Sequence, residues 1–209
     1  IGKSFGCEID FKLEKNEHLV RLHIGLENVQ DLISDLKRAI RFIKWYNYYR
    51  MDTQNIIEKI FPETKKILSE LIKFQTVSGT SNIALIEYCE KKLNKVGATS
   101  FKTFDETKKR VNLFSTVTGK GKVDGGGIVL SGHTDVVPAS AKEWKSDPFV
   151  ATEKDNKIYG RGSTDMKGFI ACSLALAPYF ASQNLKNPIH FSFTYDEETA
   201  CQGAPILIK

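Results

Sequence analysis

Residues 128–138 read Ile-Val-Leu-Ser-Gly-His-Thr-Asp-Val-Val-Pro. The first three form a short apolar run, which predicts a strand buried on both faces of a sheet. His133 and Asp135 follow at its carboxyl end, where ligand sites collect in open α/β sheets. Side chains two apart share a face of an extended chain, so we expect Asp135 to hydrogen-bond the His133 ring and fix its tautomer for a metal. The alternative is a polar turn in which His133 satisfies a backbone group.

Strands alternate with helices on both sides of this stretch, which predicts an α/β fold. We expect a three-layer αβα sandwich with a mixed sheet, in which 128–130 and 189–195 are neighbouring strands covered by helices on both faces. Pro62 is expected at the first position of a helix. Further elements are predicted as strands at 99–104 and 110–118, a helix from 83 that ends by Gly97, a helix at 166–180, and a helix near 204.

A second stretch, 159–168, reads Tyr-Gly-Arg-Gly-Ser-Thr-Asp-Met-Lys-Gly. It is not a dinucleotide fingerprint, because a pattern that begins at Gly160 needs glycine where Asp165 stands, and no Gly-Lys-Ser/Thr ending is present. Asp165 precedes the predicted helix. It is therefore either an N-cap or a metal ligand held by a tight glycine loop.

A third stretch, 194–200, contains Asp196, Glu197 and Glu198 where a predicted strand ends. Three consecutive carboxylates repel one another, which is costly unless a cation or solvent offsets the repulsion. A solvated acidic turn is the simple interpretation. However, Asp165 lies 32 residues after His133 and Glu197 another 32 after Asp165, and each lies near a strand exit or a helix entry.

Taken together, the three stretches predict a metal site. Nitrogen and carboxylate ligands suit Zn²⁺, with Co²⁺ or Mn²⁺ as possible substitutes. Two adjacent glutamates allow one to bind metal while the other acts as general base on the attacking water.

These stretches resemble the two-zinc metallopeptidase family that includes glutamate carboxypeptidase, aminoacylase, succinyl-diaminopimelate desuccinylase and acetylornithine deacetylase. The resemblance covers residues 66–209 and rests on four phrases in order: SGHTDVVP, EWKSDPF, IYGRGSTDMKGF and YDEETACQGAP. It implies a zinc-exopeptidase-like domain and two zinc ions. By the resemblance, the metal ligands are His133, Asp165 as the bridging carboxylate, and Glu198; Glu197 is the general base, and Asp135 is the partner of His133. In the family a cis peptide follows the bridging aspartate, so we expect one between Asp165 and Met166.

The activity implied by the resemblance is metal-dependent hydrolysis of an amide bond in a small N-acylated amino acid. The leading expectation is deacetylation of N-acetyl-L-ornithine in arginine biosynthesis, by the acetylornithine deacetylase branch; desuccinylase or dipeptidase activity and a non-catalytic metal- or partner-binding chain are the alternatives. The family pattern also includes a further acidic ligand, a final histidine and an inserted dimerisation domain, which this sequence does not show. We therefore expect a domain truncated at the C-terminus, an incomplete and inactive fragment, whose full-length relatives are homodimers.

Residues 1–50 differ from residues 51–209, which we take as the N-terminal part of the catalytic domain. Residues 17–40 resemble the C-terminal tail of pyridoxal-phosphate lyases of the cystathionine beta-lyase type, with Arg21 at the position that holds the substrate carboxylate in that family. Without the rest of that domain, Arg21 is expected to be a remnant. Residues 1–50 then predict a lyase-tail-like segment and linker, with a strand at 20–24 and few contacts to the remainder.

Composition excludes several classes of protein. Hydrophobic residues make up 41% of the 209 residues and charged residues 26%, with 6 prolines, which excludes disordered and collagen-like chains. The net charge of +5 is thinly spread, so we expect no nucleic-acid partner. No apolar run is long enough for a membrane span. The four cysteines form no Cys-x-x-Cys pair, which favours a reducing cytoplasm.

Overall fold

The computed structural model describes residues 18–19, 53–121, 125–140 and 142–208. In chain order its elements are β1 (His18–Leu19), α1 (Thr53–Lys73), α2 (Ile83–Asn94), β2 (Thr99–Phe104), β3 (Val111–Val117), β4 (Ile128–His133), β5 (Thr152–Lys154), β6 (Lys157–Tyr159), a π-helical turn (Ser163–Lys167), α3 (Gly168–Ser182), β7 (Ile189–Thr194) and α4 (Ala204–Leu207). Within these residues, no helix combines the length and apolar character that crossing a membrane requires.

Five strands form one mixed sheet in the order β1-β4-β7-β3-β2. Strands β4 and β7 run parallel, with Leu130 opposite Phe191 and His133 opposite Thr194. Strand β3 pairs antiparallel with both β7 and β2. The α/β class, the mixed sheet and the adjacency of 128–130 and 189–195 are thus confirmed.

The hydrophobic core lies on one face of this sheet. Phe191, Phe193 and Leu113 project from that face and are buried in one cluster with apolar residues of α1, α2 and α3. On the opposite face, Asn112 donates from Nδ2 to the carbonyl of Gly203, which immediately precedes α4. Among the described elements, the short α4 therefore lies at the face opposite the three long helices.

The first long helix differs from its prediction. Pro62 does not open α1 but lies inside it, since α1 begins at Thr53. A proline inside a helix removes one backbone hydrogen bond, and its ring crowds the carbonyl four residues earlier. Burial of Ile57 in the core stabilises the turns that precede Pro62, and these turns extend the helix beyond the proline signal.

Residues 1–17 and 20–52 lie outside the described residues, and with them all but two residues of the lyase-like tail, Arg21 and the strand predicted at 20–24. His18 and Leu19 are described, and they pair in parallel with Ile128 and Val129. The sheet therefore includes two residues of the segment that was expected to make few contacts, and the character of that segment stays a prediction.

Candidate metal centre

The three predicted metal ligands converge at the carboxyl edge of the sheet. His133, Asp165 and Glu198 each offer one ligand atom, and these atoms lie within 4.8 Å of one another. His133 ends β4, Asp165 lies in the turn before α3, and Glu198 follows β7. The parallel pairing of β4 and β7 brings the first and third of these residues to the same edge.

Asp165 faces His133 and does not cap the helix. The Nε2 atom of His133 lies 2.9 Å from Oδ1 of Asp165. The residue that precedes α3 is Lys167, and no side chain caps that helix start. The peptide bond between Asp165 and Met166 is cis, as the resemblance led us to expect. The capping alternative for Asp165 is therefore wrong in this structure.

The glycine loop brings Asp165 to this position through a close backbone approach. Gly162 has a φ of +77°, a conformation that residues with side chains rarely adopt. A Cβ atom at Gly162 would lie 2.5 Å from Cγ1 of Val136. The sequence pattern therefore requires glycine here for both backbone conformation and space.

The contact between His133 and Asp135 differs in detail from its prediction. Nδ1 of the His133 ring lies 3.0 Å from the backbone carbonyl of Asp135 and 3.4 Å from its carboxylate Oδ1. The residue that orients the ring is the predicted one, but the closer partner is its main chain. Because a carbonyl oxygen can only accept a hydrogen bond, Nδ1 is the protonated donor of this contact. Nε2 is directed at Asp165 and at Glu197, whose Oε2 is 3.8 Å away.

The Asp135 carboxylate instead holds the acidic turn. Its Oδ1 accepts the backbone N–H of Glu197 at 3.0 Å, and its Oδ2 accepts that of Glu198 at 3.2 Å. The hydroxyl of Ser78 donates to Oδ2 at 2.7 Å. Burial alone would raise the pKa of Asp135, but contacts with His133, Ser78 and Glu197 outweigh it and hold this pKa below its usual value.

The electrostatics of the cluster suit a cation. Burial alone would lower the pKa of His133. Its contacts with Asp135 and Asp165 and the charge of Glu197 have a larger effect in the opposite direction and raise this pKa to about 10. The pKa of Glu198 is raised by burial and next by the charge of Asp165. Negative groups crowded around one imidazole are stabilised by positive charge. An imidazole nitrogen with two carboxylates also has the chemistry that Zn²⁺, Co²⁺ or Mn²⁺ requires, so these residues fit a divalent ion.

Sequence reasoning missed two features of this site. Ser78 was not identified, although it belongs to the Ser-Gly turn that follows α1. Asp196 was grouped with the two glutamates, but its side chain is buried and contacts Arg110. A partner 86 residues away along the chain leaves no local signal in the sequence.

The α/β layers of this chain are similar to those of solved peptidase structures. Human carnosine dipeptidase 1 shares this fold with a TM-score of 0.59 and 22% identity, over 74% of this chain and 37% of that chain. An aminopeptidase PepT from Bacillus cereus gives a TM-score of 0.53 at 21% identity, over 69% of this chain and 39% of that chain.

Sequence comparisons match part of this chain to known proteins. Residues 129–209 match the family model of Peptidase family M20/M25/M40. The chain is 36% identical to the acetylornithine deacetylase of Proteus mirabilis over 150 residues, which are 68% of this chain and 38% of that protein. It is 37% identical to the acetylornithine deacetylase of Buchnera aphidicola over 161 residues, 74% of this chain and 41% of that protein. The chain thus spans about two fifths of the length of these relatives.

Proposed function

We propose that this chain carries the metal-binding part of an amide hydrolase of the M20 type, and that its substrate is a small N-acylated amino acid, N-acetyl-L-ornithine foremost. The observation that carries the proposal is the convergence of His133, Asp165 and Glu198 on one point. The resemblance to two acetylornithine deacetylases supports the choice of substrate.

In this proposal the two glutamates have separate roles. A divalent ion bound by His133, Asp165 and Glu198 would polarise the amide carbonyl and acidify the attacking water. Glu197, whose carboxylate lies near His133, takes a proton from that water and delivers it to the leaving nitrogen. Asp135 holds both glutamates through their backbone N–H groups.

The number of ligands sets a limit on the chain alone. A catalytic zinc typically has three protein ligands of its own, and the described residues supply three in total. Two ions would therefore need ligands beyond those described. We expect the 209-residue chain to bind one divalent ion and to hydrolyse substrate weakly at most.

Titration with Zn²⁺ or Co²⁺ tests the metal site in the 209-residue chain. Glu198→Gln removes a ligand and should weaken the affinity at least about tenfold, as should His133→Ala. Glu197→Gln is the matched control, because it makes the same substitution at the adjacent residue and leaves all three proposed ligands in place. Its metal affinity should stay within about threefold of the wild-type value. Equal losses in both glutamine variants would contradict the separate roles, and a wild-type chain that binds neither ion would overturn the proposal.

Substrate class is tested with the zinc-loaded chain and three substrates: N-acetyl-L-ornithine, an N-succinyl amino acid and a dipeptide. Turnover of the acetyl compound above the other two, abolished by Glu197→Gln, would support the substrate assignment. A preference for the succinyl compound or the dipeptide would replace it.

A further inference from the structure

The three consecutive carboxylates at the end of β7 do not share one environment. Asp196 is 1% exposed, whereas Glu197 and Glu198 are half-buried beside His133. Asp196 has a φ of +51°, in the left-handed region that aspartate tolerates better than most residues. The chain therefore changes direction at Asp196, immediately before the two glutamates of the metal centre.

Arg110 supplies the positive charge for the buried carboxylate. Its Nη1 donates to Oδ2 of Asp196, and its guanidinium lies 5.3 Å from the centre of the Tyr195 ring. The other oxygen of Asp196 accepts the backbone N–H of Gly79 at 2.8 Å. Asp196 is thus fixed on both sides by groups from other parts of the chain.

Arg110 is itself held in place by the turn that joins β2 and β3. Oδ1 of Asp105 accepts the backbone N–H groups of Lys109 and Arg110, each at 2.9 Å. Oδ2 of Asp105 accepts Nε of Arg110 at 3.1 Å. One edge of the guanidinium therefore contacts Asp105 and another Asp196, which restricts the rotation of the arginine side chain.

We propose that Arg110 is a positioning residue for the metal centre, because its ion pair with Asp196 sets the direction in which Glu197 and Glu198 leave β7. This inference rests on the proposed function, since it assigns a role at that site. The contacts described for Arg110 are with Asp105, Asp196, Gln202 and the Tyr195 ring. Arg110 acts through Asp196 and the left-handed backbone that joins Asp196 to Glu197.

The sign of one measurement separates positioning from electrostatics. Removal of a positive charge near a cation site strengthens cation binding if only Coulomb forces act. Removal of a positioning group weakens it, typically by about 10- to 100-fold for groups that orient metal ligands. Arg110→Gln should therefore weaken Co²⁺ affinity about tenfold or more.

Two further variants of the 209-residue chain complete the test. Lys109→Gln removes the same charge from an exposed neighbour and should leave affinity unchanged or slightly stronger. Arg110→Lys keeps the charge but not the planar fork, and we expect an intermediate loss of about threefold. If Arg110→Gln does not fold, the difference between Arg110→Lys and Lys109→Gln still decides the inference.

Titration of the wild type with Co²⁺ comes first, with unfolding free energies measured in a chelator for every variant. Absence of binding by the wild type would overturn the proposed function itself. Normal binding by the wild type together with unchanged affinity in both Arg110 variants would overturn the positioning role alone. Lower stability of Arg110→Gln with unchanged affinity of the folded chain would likewise overturn it and leave Arg110 as a structural link.

Discussion

Replacement of Asp135 by asparagine should damage both the fold and the metal centre. The Asp135 side chain is almost completely buried and accepts hydrogen bonds from Ser78, Glu197 and Glu198. Each of its oxygens faces a backbone N–H, one from Glu197 and one from Glu198. An amide in the same place therefore presents its NH₂ group to a donor in either orientation.

The magnitude follows from these contacts. A hydrogen bond to a charged acceptor contributes roughly 1 kcal/mol more than a neutral one, and a buried donor left without an acceptor costs about 1–3 kcal/mol. With the NH₂ group in place of Oδ1, two weakened bonds and one unsatisfied N–H then predict a loss of about 3–5 kcal/mol in the free energy of unfolding. The turn that carries Glu198 would also loosen, so metal affinity should fall by about 10- to 100-fold.

Urea unfolding in a chelator measures the first quantity, and titration with Co²⁺ measures the second. Asp147→Asn is the matched control, because the same substitution is made there at an exposed residue. The Asp147 carboxylate accepts the backbone N–H of Phe149 in an exposed contact, whereas the Asp135 carboxylate accepts three buried or half-buried hydrogen bonds. The unfolding free energy of Asp147→Asn should change by less than about 0.5 kcal/mol. An Asp135→Asn chain with wild-type stability and metal affinity would refute the assignment of Asp135 as the residue that holds the acidic turn.

Three other expectations concern the fold. Leu71 is 0% exposed in the core, so Leu71→Ala should lower the free energy of unfolding in urea by about 2–5 kcal/mol. Phe104 is 46% exposed, so Phe104→Ala should lower it by less than about 1 kcal/mol. Equal losses in the two variants would contradict the described core. Gly162→Ala should cost about 2–4 kcal/mol in thermal unfolding because its Cβ meets Val136, and Val136→Ala in the same chain should recover part of that loss. Burial would raise the pKa of Asp105, but its hydrogen bonds hold it below the usual value of 3.8. The folded state then binds fewer protons than the unfolded state below about pH 4, so stability should decrease as the pH is lowered there. This decrease should be smaller in Asp105→Asn than in the wild type.

Apolar patterning was sufficient to predict the sheet and most helix positions. The short runs at 128–130 and 189–195 indicated buried neighbouring strands, and the helix expected from 83 begins at Ile83. The proline signal failed at Pro62, where the packing of Ile57 on the core extends α1 in the N-terminal direction. Local signals for helix ends are weak compared with the burial of a whole apolar face.

The candidate metal ligands were predictable because each lies in a stretch with its own distinctive residues. Motif and spacing indicated His133, Asp165 and the glutamate pair, the family resemblance implied Glu198 as the ligand of that pair, and the structure brings His133, Asp165 and Glu198 together. The groups that hold them were less accessible to this reasoning. Ser78 reaches Asp135 across 57 residues, and Arg110 reaches Asp196 across 86, and pairings at such separations depend on the completed sheet.

The acidic run shows why alternation along a strand does not predict the direction of every side chain. Continued extended geometry after β7 would place Asp196 and Glu198 on one face and Glu197 on the other. The left-handed backbone at Asp196 ends that alternation, so that Asp196 points to Arg110 while both glutamates lie beside His133. The repulsion expected among three carboxylates is therefore divided: an arginine offsets one of them, and the candidate metal centre gathers the other two. A single change of backbone direction accounts for both the burial of Asp196 and the position of the two glutamates beside His133.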